Sequence, residues 1–125
     1  MSSGIDKLIK SFSHACDGWC CGLTERNVKI HLTVAIFVFF AAILFQISTG
    51  EWLMVILLTG AVISAELFNT AIEEIGDIIA TKLKLQYSET RAPRDLAAGA
   101  VLLTAMTAAI VGLIIFLPKV LRLFP

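Results

Sequence analysis

The chain has 125 residues, of which 58% are hydrophobic and 16% charged, and its ten basic and ten acidic residues leave no net charge. A soluble domain this small buries only about 60–70% of the surface that its unfolded chain exposes, so it could not hide so much apolar surface. A bilayer must act as solvent for much of it, which predicts a single integral membrane domain over residues 1–125. The balanced charge, without a basic run, excludes nucleic-acid binding, and no nucleic-acid partner is expected.

The first predicted element is an amphipathic helix over about residues 5–19. Its apolar residues recur at the spacing of one helical face, and they are Ile5, Leu8, Ile9, Phe12, Cys16 and Trp19. Beside membrane spans, such a helix is expected to lie in the headgroup plane. Cys16 and Cys20 lie one turn apart near His14, so a metal site is an alternative. Because a second pair of ligands is missing, we interpret the cysteines as small apolar fillers.

Three apolar segments predict membrane spans at about residues 30–48, 52–80 and 93–117. In the first, residues 32–49 carry no charge, and 18 residues give about 27 Å of helix, enough for the hydrocarbon core. The third has 22 uncharged residues at 96–117 and is predicted to end at Pro118. Small residues repeat every four positions along it, at Ala100, Thr104, Ala108 and Gly112. This ridge predicts a face against which another helix packs closely.

The second span carries acids at membrane depth. Only 14 uncharged residues, 52–65, precede Glu66, and they give about 21 Å of helix against a hydrocarbon core of about 30 Å. One helical face, about 80° wide, carries Glu66, Asn69, Glu73 and Asp77. Glu66 is therefore predicted inside the membrane boundary, and Glu73, about 10 Å farther along, among the headgroups. Such acids are usually functional, and this face is where a lipid's polar end would meet a water-soluble reactant.

The basic residues predict the orientation. Residues 1–29 and 81–95 carry four Lys or Arg each, and the turn at 48–51 carries none. The positive-inside rule then places the N-terminus and the acidic face in the cytoplasm. Lys119 and Arg122 fall outside, which the rule does not favour, but three spans fix the parity and the other two loops outweigh them.

Acidic residues from three helix ends are expected to lie together at the cytoplasmic end of the predicted bundle. They are Glu25, Glu66, Glu73 and Asp95. Oxygen ligands suit Mg²⁺, which is commonly held by one or two carboxylates together with substrate phosphates. Lys29 or Arg94 would help to position a phosphoryl donor, because such catalysis is mostly placement and charge neutralisation. The chain has no Gly-rich P-loop, so a nucleotide would need an unconventional site.

Glu66 is a candidate base, because a partly desolvated carboxylate suits the removal of a proton from an alcohol. Two structural alternatives stay open. Glu66 and Asn69 could serve as polar contacts between helices. Asp95 could complement the positive end of the third span, with Pro93 in its first turn.

Three stretches carry a family resemblance. Residues 66–73, Glu-Leu-Phe-Asn-Thr-Ala-Ile-Glu, together with Asp77, resemble the signature of the prokaryotic diacylglycerol kinase and undecaprenol kinase family. Residues 94–101 resemble its second motif and residues 25–31 a weaker third, and the likeness covers about residues 5–118. It implies an all-α membrane protein of the bacterial inner membrane, with three transmembrane helices and an N-terminal surface helix. It also implies a homotrimer whose sites are shared between neighbouring subunits.

The resemblance implies transfer of the γ-phosphate of Mg-ATP to a lipid alcohol. By position, Glu66 matches the catalytic base, and Glu25 and Glu73 match the metal ligands. The nucleotide-binding positions fall on Asn69, Asp77, Lys29, Arg94 and Asp95. The substrate-binding positions fall on Glu66 and Ala98.

Three positions bear on the substrate and its handling. Ala98 stands where the diacylglycerol branch has Ser and His31 where it has Glu, which favours undecaprenol and leaves diacylglycerol as the alternative. Arg94 stands where Lys is usual, so a planar guanidinium group replaces the point charge of an ammonium group.

A carboxylate-lined ion pathway is a less favoured alternative function, because residues 32–50 and 52–65 have no ionisable group to continue it. A purely structural membrane subunit is a third.

Overall fold

The computed structural model describes residues 4–124 and folds them into four α-helices and one short 3₁₀ turn. The helices are α1 (Gly4–Gly22), α2 (Arg26–Leu44), α3 (Thr49–Leu83) and α4 (Arg91–Leu121), with the turn at Tyr87–Glu89. The described chain contains no strand, so the predicted all-α class is confirmed. α2, α3 and α4 are each long and apolar enough to cross a membrane, as predicted for the three spans.

The helix ends differ from the predicted ones in physically interpretable ways. α4 continues through Pro118 to Leu121, so the prediction that Pro118 ends the third span is wrong. A proline this close to a helix end removes only one backbone hydrogen bond, and just one further turn has to be accommodated. α1 likewise runs through Gly18 to Gly22, beyond the predicted residue 19. α2 ends at Leu44, so the last residues of the predicted first span form a connecting turn.

α3 begins with a capping box that also reaches α4. Ser48 Oγ accepts a hydrogen bond from the Glu51 amide at 3.3 Å, and Glu51 Oε2 accepts one from the Ser48 amide at 2.7 Å. The other carboxylate oxygen, Oε1, accepts a hydrogen bond from Lys119 Nζ at 2.9 Å. This ion pair joins the start of α3 to the last turn of α4.

α3 is the central helix, because it packs against both α2 and α4. An apolar cluster at its N-terminal end is formed by Ala42, Ile47, Val55 and Ile115. Two aromatic pairs flank the cluster, Phe39 with Trp52 at 5.7 Å and Phe45 with Phe116 at 6.2 Å between ring centroids. The cluster and the Glu51–Lys119 pair therefore close the same end of the bundle, opposite the acidic end of α3.

An apolar groove of about 750 Å³ runs between α2 and α4 over one face of α3. Its walls include Val34 of α2, Val62 of α3 and Ala108 and Gly112 of α4. The last two belong to the predicted packing ridge. No atom lies within 4 Å of the position that a Cβ would take at Gly112, so this part of the ridge is open within the described chain. If the ridge packs against a helix there, that helix belongs to another molecule.

α1 lies largely apart from the other helices. Its residues other than Gly22 are exposed, including the apolar residues Ile5, Leu8 and Phe12 at 70–73%. Its anchor is the C-terminal end, where Gly22 approaches the side chain of Leu67 on α3 so closely that a Cβ would overlap it. The apolar stripe predicted to face the headgroups is therefore free to do so.

We expect the substitution Lys119→Met to lower the midpoint of thermal unfolding by a few degrees. It leaves Glu51 without its cation at the junction of α3 and α4, whereas the substituted side chain keeps most of its apolar contacts. The measurement is circular dichroism of the purified protein in detergent micelles during heating. Arg122→Met is the matched control, because Arg122 is exposed and makes no ion pair in the described chain. Equal midpoints for the two variants would show that the ion pair does not stabilise the bundle.

Candidate active site

The polar face of α3 passes from buried to exposed along the helix. Glu66 and Asn69 are 2% and 4% exposed, whereas Glu73 and Asp77, two to three turns beyond Glu66, are exposed. Buried apolar residues of the same helix, such as Val62, precede the first acid. The polar face therefore passes from buried to exposed residues along α3.

Two buried oxygens on this face have no hydrogen-bond partner in the described chain. They are Glu66 Oε1 and Asn69 Oδ1. The amide nitrogen of Asn69 donates a hydrogen bond to Glu73 Oε1 at 3.0 Å, so these two residues act as one unit across a helical turn. Since buried polar atoms are nearly always paired in native proteins, two such oxygens on one face are suited to binding a donor or a cation.

His31 lies closest to the buried acid from another helix. Its Nε2 atom is 4.0 Å from Glu66 Oε2, and its side chain is 25% exposed. It is also part of the wall of the apolar groove. Sequence reasoning used His31 only as a marker of the family branch and missed it as a site residue. The available signal was a lone titratable side chain within an otherwise apolar segment of α2.

Arg94 is the buried cation at the exposed end of the face, with 7% exposure. Its Nη2 atom donates a hydrogen bond to Asp77 Oδ1 at 2.8 Å and a longer one to Thr90 Oγ1 at 3.4 Å. The guanidinium group stacks over the Tyr87 ring at 5.1 Å from the centroid. Arg94 therefore fastens the start of α4 to α3 and holds Asp77 in place.

Gly76 makes this contact possible. A Cβ at that position would lie 2.8 Å from Arg94 Nε and Nη2, too close for a real side chain. Sequence reasoning missed Gly76 and Tyr87, because which helix face meets an arginine depends on the path of the chain between α3 and α4. The Nε atom of Arg94 keeps no partner in the described chain.

The remaining predicted residues lie on the surface. Glu25, Lys29, Asp95 and Ala98 are exposed. Asp95 accepts a hydrogen bond from Arg91 Nε at 2.9 Å, one turn away on α4. Its carboxylate is therefore engaged in a local pair.

The predicted metal ligands, Glu25 and Glu73, lie on different elements. Glu25 is exposed in the connection between α1 and α2, and Glu73 is exposed on α3. Among residues 4–124 no group of three His, Cys, Asp or Glu side chains is arranged to hold a metal ion, so Glu25, Glu66 and Glu73 form no such group within one chain. Cys16 and Cys20 are exposed on α1.

Three spanning helices with a carboxylate face at one end define a small multi-pass membrane protein whose polar site borders its apolar region. A family model described as prokaryotic diacylglycerol kinase matches residues 13–116. The undecaprenol kinase of Bacillus subtilis (strain 168) is 41% identical over 116 residues, covering 92% of each chain. The diacylglycerol kinase of Synechocystis sp. is 36% identical over 117 residues, covering 93% of this chain and 66% of its own.

No solved structure gave a significant match. The match to the family model and the identity to the Bacillus protein show that the chain belongs to the prokaryotic diacylglycerol kinase family. It is a membrane lipid kinase, which confirms the class of enzyme that the resemblance implied.

We expect Gly76→Ala to destabilise the protein by about 1–3 kcal/mol, because the added methyl group must displace a buried guanidinium held by Asp77. The measurement is the midpoint of thermal unfolding in detergent micelles. Gly60→Ala is the matched control on the same helix, since nothing lies within 4 Å of its Cβ position. A destabilisation of the same size in both variants would mean that a general effect on α3, rather than the contact with Arg94, explains the loss.

Proposed function

We propose that this protein transfers the γ-phosphate of ATP to undecaprenol and forms undecaprenyl phosphate. The observation that carries the proposal is Glu66, a carboxylate 2% exposed at the point where the apolar part of α3 gives way to its polar face. A lipid alcohol anchored in the bilayer can reach such a group, and so can phosphates arriving from water. The identity of 41% to the Bacillus undecaprenol kinase, over nearly the whole of both chains, supports undecaprenol as the substrate.

Glu66 acts as the base in this proposal. Its carboxylate takes the proton of the alcohol while the alcohol oxygen attacks the γ-phosphorus, and the bond from that phosphorus to the leaving oxygen of ADP breaks. Seclusion from water strengthens the electrostatic interactions at the reacting atoms. Glu66 also binds the substrate by accepting the hydrogen bond of its hydroxyl group, and Ala98 on α4 leaves space beside the reacting end.

The residues on the face fit a hard divalent cation. Asn69 Oδ1 has no partner in the chain, and Glu73 is an exposed carboxylate joined to the same amide. When bound, magnesium neutralises the charge of the phosphates. We assign Glu73 and Glu25 as its ligands. Because one chain does not bring these acids into a metal-binding group, we propose that Glu25 comes from a neighbouring subunit.

The remaining polar residues at this end are assigned to the nucleotide. We assign to it Lys29 on α2 and Asp95 on α4, which are both exposed, and Asn69 on α3. In the unbound chain Asp95 is paired with Arg91. Asp77 is held by Arg94 with 72% of its side chain exposed, so it can still accept a hydrogen bond from the nucleotide. The contribution of Arg94 is therefore mainly to position Asp77.

We further propose a homotrimer in the bacterial inner membrane with its N-terminus and active site in the cytoplasm. The open ridge on α4, of which Gly112 is a part, is suited to packing against a second chain. The charge distribution supports this orientation. On the opposite side of the membrane Lys119 is paired with Glu51, which leaves Arg122 as the unpaired cation there among the described residues.

We expect the purified protein to phosphorylate undecaprenol in mixed micelles with Mg-ATP, and Glu66→Gln to lower kcat at least about a hundredfold because the base is lost. The measurement is transfer of labelled phosphate to the lipid. Glu74→Gln is the matched control, an exposed acid on the same helix that lies about 80° around the helix axis from Glu66. Normal turnover by Glu66→Gln would remove the proposed base.

The choice of lipid is tested in the same assay with diacylglycerol as the competing alcohol. We expect a higher kcat/KM for undecaprenol. A higher value for diacylglycerol would overturn the proposed substrate while leaving the lipid kinase class intact, as the 36% identity to the Synechocystis enzyme would then favour.

A further inference from the structure

We propose that His31 takes the proton from Glu66 and passes it to water, so that the buried base is regenerated after each transfer. The proposal rests on the function proposed above, because it concerns the fate of the proton that Glu66 removes from the lipid alcohol. His31 acts through Glu66 and is therefore a positioning residue of the proton path rather than a group that attacks or binds phosphate.

The two side chains come from different helices and meet at the inner end of the groove. Nε2 of His31 on α2 lies 4.0 Å from Oε2 of Glu66 on α3. This gap is about 1 Å longer than an ordinary hydrogen bond. Catalytic hydrogen bonds are often long before the substrate binds, and a small rotation of the imidazole closes the distance.

The difference in burial between Glu66 and His31 favours proton transfer from the carboxylate to the imidazole. Only 3% of the Glu66 side chain is exposed, whereas 25% of the His31 side chain is. The carboxylate is almost fully enclosed, and the imidazole that faces it across 4.0 Å is the more exposed of the two groups. No Lys or Arg side chain lies within 4 Å of the Glu66 carboxylate in the described chain, so His31 is the nearest ionisable nitrogen available to it.

The titratable groups near His31 in the described chain come from its own helix and from α3. From α3 the titratable group facing it is Glu66. The groove residues contributed by α4 are all uncharged, and His31 is the only titratable side chain among those that line the groove. On its own helix the nearest cation is Lys29, which is exposed.

The proton balance is complete with the groups named. The alcohol loses its proton to Glu66 as its oxygen forms the bond to the γ-phosphorus, and ADP leaves with the electrons of the broken bond. Glu66 then gives the proton to Nε2 of neutral His31, which restores the carboxylate and forms an imidazolium. Water takes the proton from the imidazolium and returns His31 to its neutral state.

The test is a kinetic comparison of wild type, His31→Gln and His31→Ala with whichever lipid alcohol the wild type phosphorylates. We expect kcat to fall at least about tenfold in both variants, with the KM for ATP unchanged, since proton transfer and not nucleotide binding is impaired. The pH profile of the wild-type kcat should change in His31→Gln, because the group that takes the proton from Glu66 is lost. Added imidazole should restore activity to His31→Ala but not to Glu66→Gln.

The matched control is His14→Gln, which replaces the other histidine of the chain, an exposed residue on α1. It should retain the wild-type kcat and pH profile. Unchanged kcat and pH dependence in His31→Gln would overturn the proposal, and so would a loss confined to the KM for the lipid, which would make His31 a lining residue only. A loss of kcat with the pH dependence kept and without rescue by imidazole would overturn it as well.

These outcomes are separable from failure of the proposed function. A wild type that phosphorylates diacylglycerol but not undecaprenol contradicts the proposed substrate, yet leaves His31 testable with diacylglycerol. Circular dichroism of each variant before the assay separates misfolding from loss of proton transfer. A His31→Gln chain that misfolds leaves the imidazole rescue of His31→Ala to decide the matter.

Discussion

A carboxylate out of reach of water governs the arrangement of this protein. An acid in an apolar setting is unfavourable unless other groups compensate for its lost hydration. The helix that carries Glu66 is apolar before it and polar after it, so the acid lies where the two environments meet. α2 approaches with a histidine and otherwise aliphatic side chains, and α4 supplies small and aliphatic groups for the far wall of the groove. Glu66 is thus buried where the helices pack together, and the exposed acids Glu73 and Asp77 follow it on the same face of α3.

Two ion pairs hold α4 against α3 on either side of that point. Glu51 and Lys119 join the helices at one end, and Asp77 and Arg94 join them at the other. The second pair depends on Gly76, because any side chain there would occupy the space of the guanidinium. Between the pairs, the contact is made by apolar side chains, which resist sliding only weakly in a lipid environment. The charged contacts at the ends therefore set the register in which α3 and α4 meet.

Much of this was accessible from the sequence, and the rest was not for identifiable reasons. Hydropathy and helical spacing predicted three spans and a polar face passing from buried to exposed, because both depend on local periodicity. The pairing of Arg94 with Asp77 spans 17 positions and depends on how the chain turns between two helices, which no local pattern encodes.

Other differences concern what a residue meets rather than where it lies. Pro118 was expected to end α4, but a proline near a helix end interrupts little and the helix continues. The small-residue ridge was predicted to pack against another helix, yet at Gly112 it faces open space within the described chain. His31 was read as a branch marker, because the approach of α2 to α3 that brings it to Glu66 follows from tertiary packing.

The continuity of α3 has a consequence for how this molecule can change over evolutionary time. The helix runs unbroken over 35 residues, from its capped start to its left-handed last residue. One residue added between its start and the buried acid would turn that acid by about 100° and advance it by about 1.5 Å, away from the imidazole that faces it. Insertions or deletions of one or two residues in this stretch would therefore separate the acid from the imidazole that faces it.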